Sequence, residues 1–199
     1  MPIAILALAG CRPHLYSDGG TTGYHDSDTG CDWTAPVNSW EVGAPAACLQ
    51  GEGFEVGQTV PDLRLQDQFD AEVSLWQFAG KLMLLDVSTL WCGPCALLGA
   101  EAEATYQQYR DQGFVYVTVI QQDYYGGPAK LGDVQEWAGA FALTSPVLGD
   151  PDAKTLPALE VIGGIPSFPG VLLVGRDLKV IERVGTTTDE VDQAIASHL

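Results

Sequence analysis

At positions 82–87 the side chains Leu82-Met83-Leu84-Leu85-Asp86-Val87 form a nearly unbroken apolar run, the pattern of a strand buried on both faces. Asp86 alone interrupts it. Leu98, Ala102, Tyr106 and Tyr109 recur at helical spacing within 93–111, and Gly113 ends that segment. Residues 114–120 are β-branched and aromatic, so a second strand follows. Strand, crossover helix and strand predict a right-handed βαβ unit with parallel strands. Upstream, residues 60–65 alternate in a strand-like way, and residues 73–78 lead to a turn at Gly80-Lys81. Downstream of a Gly126-Gly127-Pro128 break, Leu131, Val134, Ala138 and Phe141 mark a second helix. Residues 171–174 and 179–184 are two short strands about a hairpin-length connection. The last helix begins at Thr188, whose hydroxyl suits an N-cap; Asp189 and Glu190 favour its positive end, and Val191, Ile195 and Leu199 line one face. The order β-α-β, helix, β-β-α predicts an α/β fold in three layers, a central mixed β-sheet with helices on both faces.

The chain before residue 54 has another texture. Residues 17–32 are rich in turn formers and lack helix or strand period, which reads as a tether. Asp26, Asp28 and Asp32 alternate like half of a calcium loop, but Gly30 stands at a ligand position and no bidentate Glu follows, so calcium is not expected. Residues 1–10 form a short apolar run ending before Cys11, and Leu8-Ala9-Gly10-Cys11 resembles a bacterial lipobox. That resemblance implies a signal peptide over 1–10, lipidation of Cys11, and a membrane anchor for an exported chain. No Lys or Arg precedes the run, and the competing reading is an apolar N-terminus that caps the fold. In an oxidising compartment Cys31 and Cys48 are expected to pair, closing a loop worth roughly 3 kcal/mol in the chain-entropy model. The expected organisation is therefore 1–10 signal peptide, 11–53 tether and extension, and 54–199 folded domain.

Composition narrows the function classes. With 199 residues, 46% hydrophobic and 18% charged, the chain is too apolar for disorder and long enough for one core. Nine basic against 26 acidic side chains leave a net charge of −17, which repels nucleic acid. No apolar run approaches the roughly 18–20 residues of a spanning helix.

The chemistry concentrates at Trp91-Cys92-Gly93-Pro94-Cys95, at the junction of the buried strand and the first helix. A thiolate, not a thiol, attacks disulfides, and a cysteine capping a helix faces unpaired amides and the positive dipole end, which favour its anion. Pro94 fits a first turn, where the missing N–H costs nothing. Cys95 lies one turn on, close enough to close a small ring. Cys92 is thus the candidate nucleophile and Cys95 the resolving thiol. Half a zinc site is the alternative, but Cys31, Cys48, His14, His25 and His198 supply no second pair at ligand spacing, and no metal is expected.

With this motif in its strand-helix setting, the segment from about 57 to 199 resembles the thioredoxin fold, and in particular the exported thiol-disulfide oxidoreductases of the TlpA/ResA group within the redoxin superfamily. The resemblance implies that Asp86 takes the proton of Cys95 when a mixed disulfide is resolved. An alternative is a hydrogen-bonded Asp without catalytic duty. ResA-like proteins carry a Glu and a Pro where this chain has Leu98 and Ala100, so the acid-base group is more like thioredoxin's. Gly163-Gly164-Ile165-Pro166 resembles the family's cis-proline loop, which implies a cis Pro166 and a substrate-pairing backbone at Ile165. Ser167-Phe168-Pro169-Gly170 departs from the family's strand entry and adds about two residues. Trp91, Gly93 and Pro94 would complete the substrate surface, Trp91 as an exposed aromatic platform.

The function implied is exchange or reduction of disulfides of cell-envelope proteins, with a separate electron donor and no bound cofactor. Two other readings stay open. Thr89 stands three residues before Cys92 as in thiol peroxidases, although Leu85 replaces the Pro expected there. A copper-holding chaperone could use the two cysteines, although no Met or His stands near them in sequence.

Overall fold

The computed structural model describes residues 32–199. In chain order the elements are β1 (Arg64–Asp67), β2 (Glu72–Ser74), β3 (Leu82–Thr89), α1 (Gly93–Tyr109), β4 (Phe114–Gln122), α2 (Leu131–Ala140), β5 (Val147–Gly149), β6 (Glu160–Ile162), β7 (Ile165–Ser167), β8 (Gly170–Val174), β9 (Val180–Arg183) and α3 (Thr188–Ala196). The main sheet has the order β2-β1-β5-β4-β3-β8-β9, and β6 with β7 forms a separate two-stranded ribbon. β3 runs parallel to β4 and β4 parallel to β5, whereas β8 is antiparallel to β3 and β9 to β8. The sheet is therefore mixed, and the expected βαβ unit is β3-α1-β4.

Period-two alternation sorts the core into two layers. Leu82 and Leu84 of β3 join Phe114 and Tyr116 of β4 and Val171 and Leu173 of β8 on one face. The buried residues of α1, α2 and α3 pack on that face, among them Leu98, Trp137 and Ile195. Met83, Leu85 and Val87 point the other way, with Val115, Val117 and Leu172. Two 3-10 helices, Leu75–Phe78 and Leu156–Ala158, contribute Trp76, Phe78 and Ala158 to the second layer. β3 is buried at all eight positions, as its apolar run requires. Each such Leu or Val is worth roughly 1.5–3 kcal/mol relative to exposure.

Part of the extension upstream of residue 54 closes the second layer. Trp33, Trp40 and Leu49 are half-buried against it. The Trp33 indole N–H donates to Ser74 Oγ at 3.2 Å, and Trp40 Nε1 donates to Asp67 Oδ2 at 2.7 Å. Lys81 pairs with Glu41. Cys11 and Cys31 lie outside the described residues, as do Asp26, Asp28 and the apolar run at 1–10.

Two local expectations are corrected. The N-cap of α3 is Thr187, not Thr188: its side chain accepts from Glu190 N at 3.4 Å, while the Glu190 carboxylate accepts from Thr187 N at 3.1 Å. Both threonines have the right hydroxyl, and only Thr187 is three residues from a Glu that completes a capping box. The cis peptide bond precedes Pro169, not Pro166. Pro166 instead sits in β7 opposite Val161. The position beside the cysteine turn is set by where β8 begins, and β8 begins at Gly170, opposite Val87.

Candidate active site

The turn between β3 and α1 carries the cysteines. β3 ends at Thr89, Leu90 N donates to Gln122 O at 3.1 Å, and Cys92 caps α1 with extended backbone. Pro94 occupies the first turn of the helix. Cys92 and Cys95 are joined in a disulfide with their Cα atoms 5.2 Å apart. The Cys95 N–H donates to Cys92 Sγ at 3.2 Å, so one of the helix's unpaired amides points at that sulfur. The two cysteines are unequal in access: Cys92 is 5% exposed and Cys95 0%. Gly93 and Pro94 are exposed beside them. The sulfur that can meet another molecule is that of Cys92.

Asp86 is fully buried in β3. Two positions from Leu84, it shares the sheet face against which α1 packs, the face that also holds Cys92 and Cys95. Its Oδ1 accepts from Ser88 Oγ at 2.7 Å and its Oδ2 from the Tyr116 hydroxyl at 3.3 Å. Burial raises the Asp86 pKa from 3.8 to about 7, against the lowering effect of the Ser88 and Tyr116 hydrogen bonds. Burial first, and then the Asp86 charge, push the Tyr116 hydroxyl well above its ordinary value of 10.0. A carboxyl near neutrality in this place can take up and give back a proton at ordinary pH.

On the other side of the turn, Trp91 is 50% exposed. Its indole N–H donates to Gln122 Oε1 at 2.8 Å, and its ring stands edge-on to Phe168 at 5.8 Å. Phe168 precedes the cis Pro169, so it takes the loop place expected of Ile165. Gly170 follows because the backbone is crowded there: a Cβ would fall 2.7 Å from Leu159 Cδ2 and 3.1 Å from Ala158 O. Pro94, Phe168, Pro169 and Gly170 line one groove together with the ribbon and the start of α3.

The fold thus brings Cys92, Cys95, Asp86, Trp91, Gly93 and Pro94 to one end of β3, and sets Ile165 and Pro166 out on the ribbon. Sequence reasoning missed Ser88, Tyr116, Gln122 and Phe168. Ser88 was within reach, because two residues from Asp86 on a strand means the same face. The other three depend on inter-strand register or on the start of β8. Thr89 is fully buried with its hydroxyl unpaired. Among the described residues no group of three or more His, Cys, Asp or Glu side chains could hold a metal ion, and no helix is long and apolar enough to cross a membrane.

Comparison with known proteins gives the same picture. The model of the AhpC/TSA family matches residues 56–183. The thiol-disulfide oxidoreductase ResA of Geobacillus thermodenitrificans is 31% identical over 136 residues, covering 68% of this chain and 72% of the relative. Among solved structures, one described as a thiol:disulfide interchange protein DsbE from Chlorobium tepidum superposes with a TM-score of 0.61 at 25% identity, over 73% of this chain and 99% of that one. The peroxidoxin BcpB of Mycobacterium tuberculosis shares the fold, with a TM-score of 0.58 at 15% identity, over 72% and 96% of the two chains.

Proposed function

The chain belongs to the AhpC/TSA family and is a thiol-disulfide oxidoreductase, and we propose that it reduces or exchanges disulfides of cell-envelope proteins through Cys92 and Cys95. The observation that carries this reading is the helix-capping Cys92 sulfur, which receives the Cys95 amide at 3.2 Å while its disulfide partner, the Cys95 sulfur, is fully buried.

The cycle starts from the dithiol. Cys92 thiolate attacks one sulfur of a partner's disulfide; the partner's other sulfur leaves as a thiolate and takes a proton from water. Cys95 then passes its proton to the Asp86 carboxylate and attacks Cys92 Sγ. The Cys92-partner bond breaks, the partner's second sulfur leaves as a thiolate and takes up the proton that Asp86 gives back, directly or through water, so the partner is left as a dithiol and Cys92–Cys95 holds the two-electron oxidation. An electron donor resets it, and no bound cofactor takes part. The placement of Asp86 on the cysteine face and its near-neutral pKa support its role as the proton acceptor. Trp91 and Phe168 frame the approach to Cys92. Envelope location, lipid attachment at Cys11 and a Cys31–Cys48 bridge belong to the same reading, resting on the lipobox-like sequence and the ResA relatives.

The test is trapping. Cys95→Ser is expected to accumulate partner proteins on Cys92 as mixed disulfides, and a Cys92→Ser variant to accumulate none, read on non-reducing gels. Equal trapping by both variants, or a wild-type protein that consumes hydrogen peroxide in preference to disulfides, would overturn the reading.

A further inference from the structure

The β6–β7 ribbon is unusual in what it leaves uncovered. Its strands are joined at Gly163-Gly164, whose φ values of 62° and 85° suit a tight two-residue turn that side chains strain. The register pairs Glu160 with Ser167, Val161 with Pro166 and Ile162 with Ile165. Val161, Ile162 and Ile165 are 66%, 64% and 70% exposed, so the ribbon holds three large apolar side chains out to solvent. Such surface is costly unless something covers it.

Alternation decides which of them matter. Ile162 and Ile165 are a cross-strand pair on one face, with Glu160 and Ser167 two positions away on the same face. Val161 and Pro166 occupy the reverse. Glu160, Ile162 and Ser167 line a groove together with Pro94, Phe168 and Glu190, and Ile165 stands beside it as the cross-strand partner of Ile162. The ribbon's Ile162 face is therefore a side of the cleft that ends at the cysteine turn. The groove's charge is one-sided as well. Its only lining cation among the described residues, Arg183, donates to Ala158 O and Phe54 O and pairs with Glu55 at 3.0 Å, so the lining carboxylates are Glu160 and Glu190, the latter also accepting from Thr187 in the α3 cap.

We infer that this groove is the docking site for an extended polypeptide segment flanking the partner's disulfide, apolar where it meets Ile162 and Ile165 and basic where it passes Glu160 and Glu190. The inference rests on the proposed disulfide chemistry, because the groove's continuity with the cysteine turn is what brings the segment's sulfur to Cys92. Apolar contact with two exposed isoleucines supplies affinity, and the carboxylates select against acidic segments.

Pre-reduced protein is to be mixed with a cyclic peptide disulfide carrying valine and lysine beside one cysteine, with the same peptide carrying glutamate for lysine, and with hydroxyethyl disulfide. Wild-type protein is expected to reduce the lysine peptide faster than the glutamate peptide. In Ile162→Ser/Ile165→Ser the ratio of the lysine-peptide rate to the hydroxyethyl disulfide rate is expected to fall about tenfold, the equivalent of roughly 1.4 kcal/mol. Val161→Ser, on the opposite ribbon face, is expected to keep that ratio. An unchanged ratio in the double variant, an equal fall in Val161→Ser, or no preference between the two peptides would overturn the docking site. Wild-type protein that reduces none of the three disulfides would overturn the proposed function instead.

Discussion

A carboxyl group sealed in an apolar sheet holds its proton more tightly than in water, because the charged form loses its hydration. Asp86 is such a group, with its pKa raised from 3.8 to about 7 by burial. Between those values the folded protein binds more protons than the unfolded chain, so its contribution to stability is fully present below about pH 4 and is lost as pH rises to about 7. Asp86→Asn is accordingly expected to be more stable than the wild-type protein at pH 8, by up to about 4 kcal/mol, with the gap closing at pH 4. Urea denaturation of the oxidised forms at both values measures it. The same variant should resolve a pre-formed mixed disulfide on the order of 10²-fold more slowly at pH 7, seen in stopped-flow release of a labelled peptide. Equal stability at both pH values would show Asp86 to be solvated, and an unchanged resolution rate would remove it from the proton path.

At the scale of elements, strong periodicity was easy to read and short pieces were not. β3, α1, β4, α2, β8 and β9 follow the apolar patterns that predicted them, and α1 starts at the residue after Cys92. β5 and the ribbon, each strand of three residues, have too few positions to display a period and exist because a neighbour supplies hydrogen bonds. The start of α3 turned on a single residue, which gives a clean test. Thr187→Ala is expected to cost about 1 kcal/mol through loss of the capping box, whereas Thr188→Ala should cost only a few tenths. Thermal unfolding of the two variants compares them directly. A larger loss in Thr188→Ala would move the cap back to the position that the sequence pattern favours.

For the whole molecule, the second layer of the core draws on chain far from it in sequence. Asp67 is fully buried; its Oδ1 accepts from Phe69 N and Ala71 N at 2.8 and 2.9 Å, and its Oδ2 from the Trp40 indole. Trp40→Ala removes that donor and a ring packed 5.9 Å from Phe69, an expected loss of about 2 kcal/mol in urea. No loss would mark residues 33–49 as a tether that merely lies alongside. The extension's turn-rich composition concealed this contact, because tryptophans spaced irregularly carry no helix or strand signal and declare their partners only when Ser74 and Asp67 are brought near.

The amino-acid sequence alone determined the order of the long elements and the placement of Cys92 and Cys95 on a strand-helix junction, since periodicity, capping and chain punctuation act over a few neighbouring residues. Tertiary structure decided which proline is cis, which face of the ribbon lines the groove, and how tightly Asp86 holds its proton. Those properties depend on strand register and on exclusion of water by segments distant along the chain, and both exist only once the sheet has assembled.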